Sequence, residues 1–153
     1  MNKFMKIAVQ EAAKGVKAND GGPFGAVIVK NGKVVARGHN MVVISNDPTA
    51  HAEVTVIRNA TAKLKRFDLS DCELYTSCEP CPMCLSAIYW AKFKKIYFGA
   101  TRKDAANIGF DDKFIYDVLE KNTKPSVVLK PLDRKECVKP MDVWKKKIDK
   151  VQY

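Results

Sequence analysis

The sequence predicts an α/β fold: a three-layer α/β/α sandwich built on a mixed five-stranded sheet. Three observations predict it. Asn31-Gly32 joins two runs rich in Val and Ile, the pattern of an antiparallel hairpin. Beyond residue 50, strand-like runs alternate with segments of helical period, as βαβ units with parallel strands do. The chain has 153 residues, 46% of them apolar and 29% charged, enough for one domain with its own core and too few for a second.

Each element follows from local pattern. Residues 3–18 carry Phe4, Ile7, Ala8, Glu11 and Ala12 at helical spacing, with Gly15 near the end. Asn19-Asp20-Gly21-Gly22-Pro23 is a turn cluster. Phe24 to Lys30 and Lys33 to Gly38 are the hairpin strands. Ser45 to Thr49 is a loop able to cap a helix, and the helix after it runs to about Arg66. Cys72 to Ser77 alternates as a strand. Pro82 to Lys92 reads as a helix with Pro82 suited to its first turn. Lys94 to Ala100 is a strand and Lys113 to Leu119 a helix. Ser126 to Lys130 supplies the fifth strand. Met141 to Val151 is amphipathic, with Met141, Trp144, Ile148 and Val151 on one stripe.

Composition narrows the function. The formal net charge is +10, from 27 Lys and Arg against 17 Asp and Glu. Only five of the 27 are arginine, the residue suited to bidentate phosphate recognition, and no stretch is both strongly basic and aromatic. The charge therefore reads as solvated lysine faces rather than a nucleic-acid footprint. No apolar run approaches the roughly 20 residues that span a bilayer. Lys3, Lys6 and Glu11 interrupt the first segment, so it lacks the apolar core of an export signal. Five cysteines, an odd number without such a signal, point to a reducing compartment, the cytoplasm.

Two short motifs carry chemistry. His51-Ala52-Glu53 and Pro80-Cys81-Pro82-Met83-Cys84 each open a predicted helix. A helix start presents unpaired N–H groups and a positive dipole end, which favours thiolate over thiol. Cys81 and Cys84, three apart, share a helix face. Alone, the C-x-x-C reads equally as a redox pair or as half a metal site. With His51 it makes three ligands, and three ligands with an open fourth position is the arrangement of a catalytic zinc. Such a metal makes hydroxide available at neutral pH. Glu53 is better placed beside the metal than on it, where it can relay a proton. A redox pair leaves both His51 and Glu53 unexplained. Cys78 precedes the predicted helix and is expected to stay free, and His39, ending the second strand, reads as a bystander.

On these residues the chain resembles the cytidine deaminase-like zinc deaminases, whose signature is H-x-E…P-C-x-x-C. Pro23 to Val29 (PFGAVIV), His51-Ala52-Glu53 and Thr76 to Cys84 (TSCEPCPMC) carry the match. Ser45 to Thr55 (SNDPTAHAEVT), Leu85 to Trp90 (LSAIYW) and Gly109 to Tyr116 (GFDDKFIY) are similar to the bacterial guanine deaminases within that superfamily. The resemblance implies a cytidine deaminase-like fold and one Zn2+ per subunit on His51, Cys81 and Cys84. It implies hydrolysis of guanine to xanthine and ammonia, with Glu53 as the proton shuttle and Asp112 as a second proton carrier. It puts Phe24 and Trp90 at ring-stacking positions, Asn40 at the base edge and Ala52 among the substrate contacts. It implies a homodimer in which segment 132–153 crosses to the partner and Tyr153 closes the neighbouring pocket. From the residues alone, Asp112 reads as a helix cap before Lys113, Phe24 and Trp90 as core, Asn40 as a turn residue and Tyr153 as a frayed end. A tRNA adenosine deaminase or a cytosine or cytidine deaminase would use the same metal residues. A zinc or nucleic-acid-binding module without catalysis is the alternative from another class.

Overall fold

The computed structural model describes residues 1–152; Tyr153 lies outside the described residues. Among the described residues, seven helices and four strands follow in the order α1 (Lys3–Ala18), β1 (Gly25–Lys30), β2 (Lys33–His39), α2 (Val42–Ser45), α3 (Ala52–Leu64), β3 (Glu73–Cys78), α4 (Pro82–Trp90), β4 (Ile96–Ala100), α5 (Arg102–Ala106), α6 (Lys113–Leu119) and α7 (Arg134–Lys146). The sheet runs β2-β1-β3-β4. β1 pairs antiparallel with β2 and β3, and β3 pairs parallel with β4. The hairpin turn has Asn31 at φ 49° and Gly32 at φ 72°, the doubly positive conformation that the Asn-Gly pair predicts.

β1 explains the layering. Its side chains alternate between two cores, so it reads as an unbroken apolar run. Ala26 and Ile28 face one core, with Val56 of α3, Leu74 of β3 and Ile88 of α4. Val27 and Val29 face the other, with Phe4 and Ala8 of α1 and Tyr75 of β3. One helix thus covers one face of the sheet and α3 with α4 cover the other, as the α/β/α reading requires. The α1 layer sits very close. A Cβ built on Gly25 would lie 2.1 Å from the Ala8 carbonyl oxygen and 2.4 Å from the Ala12 nitrogen, both backbone atoms that cannot yield. Gly25→Ala is therefore expected to destabilise the chain by about 3 kcal/mol, the upper end for overpacking; chemical denaturation checks it, and a loss under about 1 kcal/mol contradicts the close seat.

His39 has a structural role that its sequence position did not suggest. Its Nδ1 lies 3.2 Å from Glu11 Oε2 and its Nε2 lies 2.8 Å from Asp20 Oδ2. Glu11 also pairs with Arg37, whose Nε stands 3.3 Å away. This buried cluster ties α1, the end of β2 and the 19–23 turn together, one residue before Asn40.

The C-terminal third departs from expectation. Ser126 to Lys130 forms no strand, so the sheet has four strands and not five. Pro125 and Pro131 bracket the segment, and Val127, Val128 and Leu129 are 70–91% exposed, with no apolar face to lie on. The last helix starts seven residues before Met141 and ends at Lys146, running through Pro140. Met141, Val143 and Trp144 on it are all exposed. Among the described residues no helix is long and apolar enough to cross a membrane.

Candidate active site

The two motifs meet because two helices begin at the same place. His51 is the N-cap of α3 and Cys81 the N-cap of α4, both with extended backbone (φ −66° in each; ψ 159° and 168°). Ser, Thr, Asp and Asn dominate such positions because their oxygens bond the first free N–H groups. Neither His51 nor Cys81 makes that bond. Both side chains turn instead toward Cys84, in the first turn of α4.

His51 Nδ1 stands 3.6 Å from Cys81 Sγ and 3.5 Å from Cys84 Sγ, and the three donor atoms all lie within 4.8 Å of one another. Zinc bonded tetrahedrally to one imidazole and two thiolates would hold N and S about 3.6 Å apart, from Zn–N and Zn–S lengths of about 2.05 and 2.3 Å. The donor set and its spacing therefore fit zinc, with three protein ligands. Without metal, the hydrogen bond from Cys84, with that from His51, holds the Cys81 thiol well below its ordinary value. Cys84 is pushed up, first by its bond to Cys81 and then by burial. Hydrogen bonding to Cys81 raises His51. Cys78 stays outside this cluster: burial pushes its thiol up to about 11, and its Sγ lies 3.6 Å from the Thr101 carbonyl oxygen.

Glu53 is buried beside the donors, in the first turn of α3. Its Oε1 accepts a hydrogen bond from Thr76 Oγ1 at 2.9 Å, and its Oε2 lies 3.4 Å from Cys84 Sγ. Burial raises this carboxyl above the ordinary range, with its own backbone N–H and the Thr76 hydroxyl acting against the shift. A buried carboxyl with one oxygen directed at the donors is placed for proton transfer.

A cavity of about 400 Å³ opens over this cluster, lined among others by His51, Glu53, Cys81, Cys84, Phe24, Asn40 and Asp112. Asn40 is buried, and its Oδ1 accepts the N–H groups of Gly22 (3.3 Å) and Val42 (3.1 Å). Those two donors fix the amide's orientation, leaving Nδ2 to donate. The Phe24 ring meets Phe110 edge-on, with centroids 5.0 Å apart. Asp112 occupies the N-cap position of α6 but makes no cap bond; Asp111 accepts the Lys113 N–H in its place. The Asp112 carboxylate turns instead into the cavity wall, where Arg102 Nε donates to its Oδ1 at 3.2 Å.

Trp90 and Ala52 are not among the residues that line this cavity. Trp90 is 67% exposed and does not line the cavity of its own chain. It ends α4 six residues beyond Cys84, about 9 Å along the axis at 1.5 Å per residue. Ala52 is fully buried in the core that α3 and α4 form with the sheet. Thr76, Glu79, Arg102 and Phe110 belong to the site and lie outside the two motifs. Thr76 was discoverable: alternation in β3 puts Leu74, Thr76 and Cys78 on one face, and Leu74 marks that face as the one carrying α3.

Comparison with known proteins agrees with this geometry. Residues 1–100 match the family model described as the cytidine and deoxycytidylate deaminase zinc-binding region. The chain is 50% identical to guanine deaminase of Bacillus subtilis (strain 168), over 98% of this chain and 97% of that one. The X-ray structure of the Bacillus subtilis guanine deaminase covers 100% of this chain and 99% of its own, at a TM-score of 0.91. A structure solved in complex with 2,6-diaminopurine is 36% identical, covers 71% of this chain and 61% of its own, and has a TM-score of 0.68. The tRNA-specific adenosine deaminase of Aquifex aeolicus (strain VF5) is 40% identical over 65% of this chain and 66% of its own length. The guanine deaminase match covers 98% of this chain at 50% identity, against 65% of it at 40% for the Aquifex aeolicus enzyme. The chain belongs to the zinc-binding cytidine and deoxycytidylate deaminase family and, within it, to the guanine deaminases.

Proposed function

We propose that this protein hydrolyses guanine to xanthine and ammonia. The observation that carries the reading is Glu53, a buried carboxyl with one oxygen held by Thr76 and the other directed to the His51–Cys81–Cys84 donors, under a cavity of about 400 Å³, large enough to admit a purine base. Zinc, when bound by those three donors, would supply water activated at neutral pH. Glu53 would take one proton of that water at Oε2 and give it to the ring nitrogen next to C2 as the oxygen bonds C2; it would then take the second proton from that oxygen and give it to the amine as the C2–N bond breaks. Thr76 keeps the other oxygen occupied, so the carboxyl cannot turn away between the two transfers.

Asn40 supports guanine over adenine. Its Oδ1 is engaged by two main-chain N–H groups, so the free end donates. With its C2 amino group at the donors, guanine presents a C6 carbonyl that the amide can pair; adenine, with its C6 amino group there, presents no exocyclic acceptor and leaves the amide unpaired. Phe24 offers a ring to the base, and Asp112 serves as the second proton carrier at the cavity wall. The Trp90 stacking role would need the ring delivered to a site other than that of its own chain. Replacing Asn40 by alanine is expected to raise KM for guanine about tenfold or more, with kcat reduced less, as loss of a hydrogen bond worth about 1.5 kcal/mol implies.

The segment 132–153 of this single deaminase domain supports a homodimer. Leu132, Met141, Val143, Trp144 and Ile148 are exposed, and so are Tyr89 and Phe98. Exposed apolar side chains on the 132–153 segment suit packing of that segment on a second copy. Trp144→Glu is expected to shift the protein toward monomer in light scattering. Five cysteines with no disulfide among the described residues, two of them needed as thiolates, suit the cytoplasm.

Ammonia release from a panel of free purines and pyrimidines, and from an anticodon-loop RNA, tests the reading. Guanine is the expected substrate, with xanthine as product. Activity confined to the RNA would overturn it, and zinc binding with no deamination of any base would leave a binding module.

A further inference from the structure

Arg102 stands outside every motif in the sequence, yet three elements hold it at the cavity. Its backbone N–H donates to Glu79 Oε2 at 3.1 Å, across from the β3–α4 loop. Thr101 and Asp104 form a capping box that sets the start of α5 at this residue. Its guanidinium lies 3.6 Å over the Tyr116 ring of α6. Held so, its Nε donates to Asp112 Oδ1 at 3.2 Å. Glu79, Arg102 and Asp112 all line the same cavity. Among the described residues, Arg102 is the hydrogen-bond partner of the Asp112 side chain. The helix-cap duty that could have fixed Asp112 belongs to Asp111.

We infer that Arg102 is a positioning residue: it grips one oxygen of Asp112 and thereby presents the other, Oδ2, to the bound base. The inference rests on the functional reading above, in which Asp112 carries a proton. The chemistry of the pair favours arginine in this role. A planar guanidinium can lie flat on an aromatic ring while its edge donates to a carboxylate, and an ammonium cannot do both. The Tyr116 ring thus fixes the guanidinium plane, and the plane fixes the carboxylate. The other charged groups near Asp112 do not compete for this role. Lys113 is engaged by Asp117, and Asp111 and Glu79 are of like charge. Arg102 acts at one remove, so its loss should appear in turnover and not in metal binding.

A double-mutant cycle tests this, with kcat and KM for guanine measured on zinc-loaded wild type, Arg102→Ala, Arg102→Lys, Asp112→Asn and Arg102→Ala/Asp112→Asn. Arg102→Ala is expected to lower kcat about 100-fold, the scale of a misplaced catalytic group, with KM changed less than about threefold. Arg102→Lys is expected to recover part of the loss. In the Asp112→Asn background, Arg102→Ala is expected to cost nothing further, because the two act as one unit. Tyr116→Leu is expected to lower kcat in the same direction by a smaller factor. Zinc content and thermal midpoint are measured on every variant. If Arg102→Ala loses either, Arg102→Lys and Tyr116→Leu decide: a kcat loss in both that vanishes in the Asp112→Asn background supports the assignment. Additive losses, or an Arg102→Ala enzyme with unchanged kcat, overturn it while wild-type turnover of guanine leaves the functional reading intact. A wild type inert toward guanine overturns both.

Discussion

Glu53→Gln is expected to lower kcat by 10²–10⁴-fold, the range of general acid–base groups, while zinc stays bound at one per chain. Glutamine is the informative replacement. It keeps the volume of a fully packed position, and its amide oxygen can still accept from Thr76 Oγ1, the bond Glu53 makes at 2.9 Å. What it cannot do is take up and release a proton at the atom 3.4 Å from Cys84 Sγ. Glu53→Ala removes the same function but also leaves the buried Thr76 hydroxyl without its acceptor, at a cost of about 1–3 kcal/mol. The two variants together separate chemistry from packing: both should lose turnover, and only alanine should lower the thermal midpoint appreciably. KM for guanine should move little in the glutamine variant, since the proton relay is needed in the transition state and not for binding. Turnover within tenfold of wild type in Glu53→Gln would remove Glu53 from the reaction. Loss of zinc in the same variant would make it a ligand.

The central part of this molecule was legible because its sequence obeys two rules and breaks a third. Period-two and period-3.6 patterns located α1, the hairpin, α3, β3 and α4 to within a few residues. The broken rule marked the site. Two helices begin on His51 and Cys81, positions where capping residues belong, and the loss of cap bonds is offset by what those side chains hold instead. Legibility fails where a residue's role depends on what lies across from it. Asp111 and Asp112 are chemically alike and adjacent, and only the fold makes one the cap and the other a cavity residue. Arg102 is one of five arginines until α5 and α6 bring it over Tyr116. The α2 and α5 helices have four and five residues, too few for a period to register. Ser126 to Lys130 fails for the opposite reason. Its Val-Val-Leu pattern is strand-like, but a strand needs a neighbour to pair with, and none of the other strands lies beside it.

Chelating the metal should abolish turnover but leave the chain folded, and that contrast separates a catalytic from a structural zinc. The two cores of this domain, gathered on either side of β1, contain none of the three donors except through the backbone that carries them. Their burial does not depend on the ion, unlike that of a small finger domain in which metal binding is the folding free energy. Bound zinc at about 1,000 times its Kd adds about 4 kcal/mol of stability by linkage. For a chain of this length that is a fall of about 10 °C in midpoint on chelation, with far-UV circular dichroism otherwise kept. Re-addition of one equivalent of zinc should restore both midpoint and turnover. Cys84→Ala leaves only His51 Nδ1 and Cys81 Sγ, which stand 3.6 Å apart. That variant should fail to retain zinc through dialysis, with turnover down at least 10⁴-fold, because the activated water is lost along with the ion. Zinc held at full stoichiometry by Cys84→Ala would mean that some other side chain completes the site, and the open position on which the hydrolytic reading depends would be gone. Complete unfolding on chelation would make the ion a structural element of the fold.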